Sequence, residues 1–421
     1  MDTLRRLWKT KDVRSSILFV LFILVLFRVA AHIPIPGIDQ VALSNFFSQN
    51  QYFGLLNVFS GGTLENFSVV ALGVAPYITA SIIFQLLGMI VPSIEEMQKE
   101  EQGRAKINQW TRYLTVPMAF LQGYGLLALL RSQGGNLFAQ TDSVSIIFML
   151  LTLTAGTMFL LWLGEMISEK YVGNGISILI FGGIVAGLPS FISQAGSLYD
   201  RSELLTWILF GAAVLVTIVG VVVMHEAVRS IPIHYTRQIQ GARLSGAVTS
   251  ALPLKLNMGG VIPIIFAISV LLFPTTLAQF FLQAKSDWLR QAAQWSIQAM
   301  QNQTVYGVAY FVLVFVFSYF YTSVIFHPTQ VSENLQKQGG FIPGIRPGKP
   351  TADYLGFVAN RLLLFGGGFL ALIAVLPIIM QQTSGQSNLA IGGTSVLIVV
   401  NVLIETVKKI EAQLSMHEYD G

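Results

Sequence analysis

The chain of 421 residues is 53% hydrophobic, carries only 11% charged side chains and no cysteine, and has a mean hydropathy of +0.64. About a quarter of the residues in a soluble domain are charged, so this composition excludes a protein that meets water on all sides. The missing thiols exclude disulfides, thiolate metal sites and cysteine nucleophiles, and the net charge of +4 matters less than where the charges lie.

A helix needs roughly 20 apolar residues to cross about 30 Å of hydrocarbon. Ten stretches approach or meet that length: 17–33, 68–91, 113–130, 144–163, 175–192, 204–224, 258–280, 305–326, 362–380 and 389–404. Twenty of the 25 Lys and Arg residues then fall on the side that holds the N-terminus and four on the other, with Arg28 inside the first stretch. Positive charge marks cytosolic loops, which places both termini in the cytosol. The first stretch reads as an uncleaved helix, because Arg28 interrupts it where a signal-peptide cleavage region is neutral.

In chain order, Arg28 is the sole Asp, Glu, Lys or Arg within the ten stretches. A charge at the bilayer centre costs about 2.5–3.5 kcal/mol on the insertion scale. Near the outer end, Arg28 reaches the interface by snorkelling or meets a carbonyl. Residues 55–72 are apolar, lack Lys and Arg, and are broken by Gly61-Gly62 before Thr63, which is placed to cap a short helix ending near Leu72. Gly73 and Pro76 interrupt the run again. The pattern predicts a half-helix folded back into the membrane layer beside a cavity open to the outside, since irregular backbone at that depth is tolerated only in such places. An external amphipathic helix is the other reading.

Thr79, Gln122 and Asn257 are isolated polar groups in or at the ends of three stretches, each satisfiable by its own or a neighbouring helix. Gly173-Asn174-Gly175 is too short for a phosphate loop and predicts a helix-entry turn. Gly182-Gly183, Gly259-Gly260 and Gly366-Gly367-Gly368 permit close helix approach, whether static or sliding. The loops after the second, sixth and eighth stretches are long and basic, and the last runs from Gly339 through Pro343, Gly344, Arg346 and Pro347 to Gly348. Its prolines and glycines predict a shaped, non-helical projection. Attraction to anionic lipid accounts for the charge but not for that sculpting.

Ion-coupled transporters carry ionisable groups near the midplane, which the charge-free stretches lack; a secondary transporter of a small or amphipathic solute is the alternative function. An intramembrane enzyme lacks a catalytic set, since His225-Glu226-Ala227-Val228-Arg229 has arginine where a second zinc-binding histidine belongs. There is no Walker-type phosphate loop, so the chain is expected to be no enzyme and to need no cofactor or metal.

Four motifs in chain order resemble the bacterial SecY family, the channel subunits of the Sec protein translocase. They are Ile33-Pro34-Ile35-Pro36-Gly37, Pro76-Tyr77-Ile78-Thr79-Ala80-Ser81-Ile82-Ile83, Gly173-Asn174-Gly175-Ile176-Ser177 and the loop from Gly344 to Gly348. The resemblance implies an all-α membrane protein of ten transmembrane helices in two pseudo-symmetric five-helix halves, residues 1–192 and 193–421, hinged around an hourglass pore. It implies a plug over about 61–72, including Gly61, Gly62, Thr63, Leu64, Glu65, Asn66, Phe67 and Ser68. Val74, Ile78, Ile176, Ile180, Ile265 and Ile398 then form the constriction ring, with valine at 74 where isoleucine is common.

Thr79, Gln122 and Asn257 match the family's polar cluster at a lateral gate between spans two and three and spans seven and eight. The loops 225–257 and 327–361 resemble those that receive the SecA motor ATPase or the ribosome. Arg346 is the foremost expected contact, with Lys349, Arg229, Arg237 and Arg243. His327 replaces a more frequent asparagine before Pro328, and Gln336 and Gln338 stand where basic or small residues are frequent. The other implied partners are SecE-like and SecG-like membrane subunits, signal peptides, unfolded precursor chains and the lipid bilayer of a bacterial cytoplasmic (inner) membrane. The expected activity is to pass unfolded secretory chains across that membrane and to release membrane segments sideways into it.

Overall fold

The computed structural model describes residues 10–37, 43, 62–64, 66–133, 142–170, 173–197, 204–235, 239–240, 243–244, 249–282, 286–384 and 387–420. The first six helices are α1 (Lys11–Ala31), α2 (Ala75–Ile90), α3 (Pro92–Lys99), α4 (Glu101–Gln133), α5 (Ser143–Glu169) and α6 (Gly175–Ser197). Then come α7 (Leu204–Glu226), the strands β1 (Val228–Tyr235), β2 (Ile239–Gln240), β3 (Arg243–Leu244) and β4 (Thr249–Lys255), and α8 (Ile262–Phe281). The chain continues through α9 (Asp287–Gln301), α10 (Gln303–Ile325), α11 (Pro328–Lys337), β5 (Gly340–Phe341), α12 (Lys349–Ser384) and α13 (Ser387–Asp420).

Each of the ten apolar stretches overlaps one helix, namely α1, α2, α4 to α8, α10, α12 and α13. By length and composition, four helical stretches among the described residues can cross a membrane: Lys11–Ala31, Val144–Glu169, Gln303–Lys337 and Lys349–Ile379. A fifth qualifies if α2 and the start of α3, bent by 113°, count as one. The bend has a local cause: Val91 is extended (φ −108°, ψ 107°), as a residue before proline prefers, and Pro92 starts the next helix.

The surface of α1 shows which solvent the fold expects. Val13, Val20, Ile23, Phe27 and Ala31 are buried along one face, while Leu21, Phe22, Val25 and Val29 are exposed. In water so much exposed apolar surface marks an interaction site or an aggregation hazard; in hydrocarbon it is the resting state, because lipid tails are as apolar as leucine. What then holds helices together is close packing. A Cβ at Gly366 would run into the carbonyl of Leu256, and one at Gly156 into the carbonyl of Val69.

Helices α1 to α6 pack chiefly on one another, as do α7 to α13. The main contacts between the two sets are α8 with α2 and α4 on one side, and α13 with α6 and α1 on the other.

The all-α expectation needs one correction, at the two long basic loops. β1 pairs antiparallel with β4, Val228 opposite Lys255 and His234 opposite Thr249, while β5 adds to the other edge with His234 opposite Phe341. Alternation drives this local choice: Ile231 and Ile233 are buried and Ser230 and Pro232 exposed, a period of two. Ile231 and Leu254 from the first loop then share a small core with Ile342 and Leu355 from the second. The two loops therefore form one body.

Candidate functional site

Val74, Ile78, Ile180, Ile265 and Ile398 are buried members of one contiguous apolar cluster, and half-buried Ile176 packs against it. Four helices contribute to it. Val74 is the N-cap of α2 and Ile78 follows one turn later; Ile176 and Ile180 lie one turn apart on α6, Ile265 on the first turn of α8, and Ile398 within α13. The entry to α6 is set by Asn174, whose Oδ1 accepts from the N–H groups of Ile176 (3.1 Å) and Ser177 (3.3 Å), the helix-entry turn expected there. Where these elements meet, the described side chains offer aliphatic surface and no charge.

Residues 62–64 and 66–74 stand directly before this cluster, and here the expected half-helix is corrected: they form consecutive turns. Three left-handed residues explain why no helix runs through, Gly62 (φ 76°), Phe67 (φ 41°) and Gly73 (φ 58°). Only the phenylalanine pays a steric cost, about 1–2 kcal/mol for an L-residue with a Cβ.

Tertiary contacts hold Phe67 there. The Ile35 N–H donates to the Phe67 carbonyl (3.0 Å), the Val69 N–H to the Ile33 carbonyl (3.0 Å), and Pro34 bridges Ser68. The Ile33-Pro34-Ile35 motif thus clamps this segment. Its apolar side chains are secured too: Leu64, Phe67 and Ala71 pack with Leu127 and Leu130 of α4 and with Met149, Leu150 and Leu153 of α5. Thr63 Oγ1 donates to the Ala71 carbonyl at 3.4 Å, while Gly61 and Glu65 lie outside the described residues.

The polar trio divides. Gln122 Nε2 donates to Thr79 Oγ1 (3.1 Å), which itself donates to the Ala75 carbonyl (3.0 Å), so α4 is tied to α2. Asn257 Nδ2 donates instead to the Gly260 carbonyl (3.2 Å), closing the turn that leads into α8. Two of the three therefore meet within the first set of helices, and the third orders the chain in the second.

The sequence reading passed over Asn401. It lies one turn beyond Ile398, is 1% exposed, and has neither amide atom partnered among the described residues. A lone amide in an apolar run was the available signal. Two long-range ion pairs were also missed, Arg112 with Glu165 (2.6 Å) and Lys408 with Glu226 (2.7 Å), because their partners are far apart in sequence.

On the sheet side, Arg346, Lys349 and Arg229 are exposed. Arg346 sits in a turn flanked by Gly344 (φ 80°) and Gly348 (φ 94°). Arg243 lies on β3, opposite Gln240 of a two-stranded ribbon, and Arg237 falls outside the described residues.

A family model described as SecY matches residues 68–407. The chain is 43% identical to the protein translocase subunit SecY of Streptomyces galbus over 438 residues, covering 99% of this chain and 98% of that one. It is 42% identical to its counterpart in Staphylococcus aureus over 432 residues, covering 100% and 99%. Among solved structures, it superposes on one described as a protein conducting channel with a TM-score of 0.62 at 18% identity, covering 94% of this chain and 91% of that one. The idle yeast Ssh1 complex bound to the yeast 80S ribosome gives 0.63 at 16% identity, covering 94% and 89%.

Proposed function

Because this chain belongs to the SecY family, whose members here are protein translocase subunits, we propose a specific path through it: unfolded polypeptides cross at the apolar collar formed by Val74, Ile78, Ile176, Ile180, Ile265 and Ile398. The chain is a protein-conducting translocation channel. The observation that carries the proposed path is convergence, since aliphatic side chains from both sets of helices meet in one cluster capped by a segment of turns.

The chemistry suits the task. A passing chain exposes N–H and C=O groups, each costing several kcal/mol if left unsatisfied in hydrocarbon, so it needs water. Ions must still be refused, and a narrow apolar constriction refuses them by dewetting. Aliphatic groups form no hydrogen bonds with the traveller, so unrelated sequences slide without being trapped. The segment with Gly61, Gly62, Thr63, Leu64, Glu65, Asn66, Phe67 and Ser68, which continues to Leu72, acts as the plug.

Ten spans in two halves, 1–192 and 193–421, are supported by the ten overlapping helices and their two packing sets. In this reading the channel lies in a bacterial cytoplasmic membrane with both termini in the cytosol. SecE-like and SecG-like subunits surround it, and a SecA motor or a ribosome docks on the sheet side. The sequence carries no Walker-type phosphate loop, and in this reading the work comes from those partners. Interface α8 against α2 and α4 is the lateral gate, where a signal peptide or membrane segment exchanges channel wall for lipid.

The decisive experiment cross-links an arrested precursor to photoreactive groups at position 78 or 180, with position 25 on the exposed face of α1 as the control. Adducts at 78 and 180 and none at 25 are expected. A precursor that labels neither would remove the collar from the path, and solute uptake without any motor would favour the transporter alternative.

The divided trio gives a second prediction. Gln122→Leu removes about 1 kcal/mol of hydrogen bonding that ties α4 to α2 on one side of the gate rather than across it, so the signal hydrophobicity needed for export should move little. In double-mutant cycles on export rate, Thr79 and Gln122 should couple, while Asn257 should add to either within about 0.5 kcal/mol. Strong coupling through Asn257 would restore a three-residue latch.

A further inference from the structure

Helix α9 (Asp287–Gln301) has no part in the proposed path. It joins α8 to α10 and packs on both. Since α8 starts beside β4 and runs about 30 Å, α9 lies at the opposite end of the bundle from the sheet.

At about 100° per residue, the sequence of α9 divides into three sectors. Leu289, Ala293, Ser296, Ile297 and Met300 fall in one, and they are buried or half-buried. Arg290, Asp287, Gln291, Gln294 and Gln298 fall in a second, all exposed, with Arg290 and Asp287 paired at 2.9 Å. Trp288, Ala292 and Trp295 occupy the third. Their indoles are 69% and 73% exposed, more than Trp162 on the lipid-facing surface of α5 at 55%.

The first sector faces protein and the second suits water. For the third, water is a poor host to two adjacent exposed indoles, whereas the membrane–water interface is where tryptophan concentrates. Two tryptophans seven residues apart share one side of a helix, so both reach the same depth when the helix lies parallel to the membrane plane.

Chain continuity fixes that depth. Asn302 (φ −73°, ψ 112°) ends α9 and caps α10, its side chain accepting from the N–H groups of Thr304 and Val305. From there Val305, Val308, Val312 and Val316 form an exposed stripe along α10, the kind of surface a crossing helix gives to hydrocarbon. The tryptophan flank therefore begins where the lipid-facing stripe begins.

We propose that α9 is an interfacial anchor whose partner is the lipid bilayer, with Trp288 and Trp295 seated at the boundary between headgroups and acyl chains. Lipid at that surface is thereby joined to α8 and α10. The inference rests on α8 and α10 crossing the membrane and not on the collar, the plug or the gate.

The absence of cysteine makes the test direct. W288C, W295C and Q294C are each spin-labelled in the intact complex and reconstituted into phosphatidylcholine–phosphatidylglycerol vesicles. Collisions with oxygen, which partitions into lipid, are compared with those of a water-soluble nickel chelate. Oxygen should dominate at 288 and 295, and nickel at 294. Nickel dominance at 288 and 295, or shielding from both reagents by a protein cover, would overturn the anchor.

A second measurement does not depend on labels. The fraction of tryptophan emission quenched by brominated lipid should fall in the W288F/W295F variant, and an unchanged fraction argues for a face that never meets lipid. Precursor cross-linking at 78 and 180 should be retained in these variants, so failure of the anchor and failure of the path are separable.

Discussion

Vesicles carrying an Ile180→Asn channel are expected to conduct ions at rest about tenfold faster than wild type. Ile180 is 4% exposed within the apolar cluster, so an amide placed there meets no polar partner among the side chains proposed for the collar. An unsatisfied buried polar group costs about 1–3 kcal/mol, and the cheapest way to avoid that cost is to admit water. A bias of about 1.4 kcal/mol toward the wet state changes its population tenfold. Wetting is what a hydrophobic constriction forbids, so conductance follows water.

Ile180→Leu keeps volume and polarity and should leave the membrane tight. Val25→Asn, on the exposed face of α1, should add no leak, although it places a polar group toward lipid. Ion flux from dye-loaded vesicles separates the three variants. Tight Ile180→Asn vesicles would mean that the seal lies elsewhere, in the plug turns alone. Asn401 sharpens the point: one turn from Ile398 it already holds an amide with no partner among the described residues, so the cluster has little margin for a second.

How legible was all this in the sequence? The apolar helices were, because burial in lipid requires long apolar runs and every such run overlaps a helix. The residues proposed for the collar came from the family resemblance, and they share one apolar cluster to which four helices contribute. The turns at 62–64 and 66–74 were not. Composition there suits a helix, and tertiary clamping by Ile33 and Ile35 overrides it by holding Phe67 left-handed.

The sheet was missed for a different reason. Ile231 and Ile233 alternate with exposed residues over a strand of eight, a pattern drowned by the longer apolar signals around it. The partition of the trio was beyond sequence altogether, since Gln122 and Thr79 are 43 positions apart while the nearest acceptor to Asn257 is three residues along its own chain.

Arg346→Glu is expected to reduce motor-driven export by about a hundredfold without unfolding the channel. The backbone around Arg346 is held independently of its side chain. Thr351 Oγ1 donates to the Arg346 carbonyl (2.8 Å), Ser332 Oγ donates to the Gly348 carbonyl (2.7 Å), and the Ile345 N–H donates to the carbonyl of buried Ile342 (3.1 Å). The guanidinium itself points to solvent. Lys349 then opens α12, whose first turn holds no acidic residue, although a cation at a helix N-terminus is disfavoured by about 0.3–1 kcal/mol.

On the proposed reading, the two cations there meet an acidic partner surface. Removing one side of a desolvated charge pair costs about 2–5 kcal/mol, and the lower part of that range already gives a hundredfold. A glutamate at 346 would, if anything, complement the α12 dipole, so thermal stability should stay level or rise slightly while export collapses. Arg346→Lys should retain part of the activity, since charge remains but the planar fork is lost. Normal export by the glutamate variant in reconstituted vesicles would take the motor off this loop, and a fall in stability matching the fall in export would reassign Arg346 to holding the loop in shape.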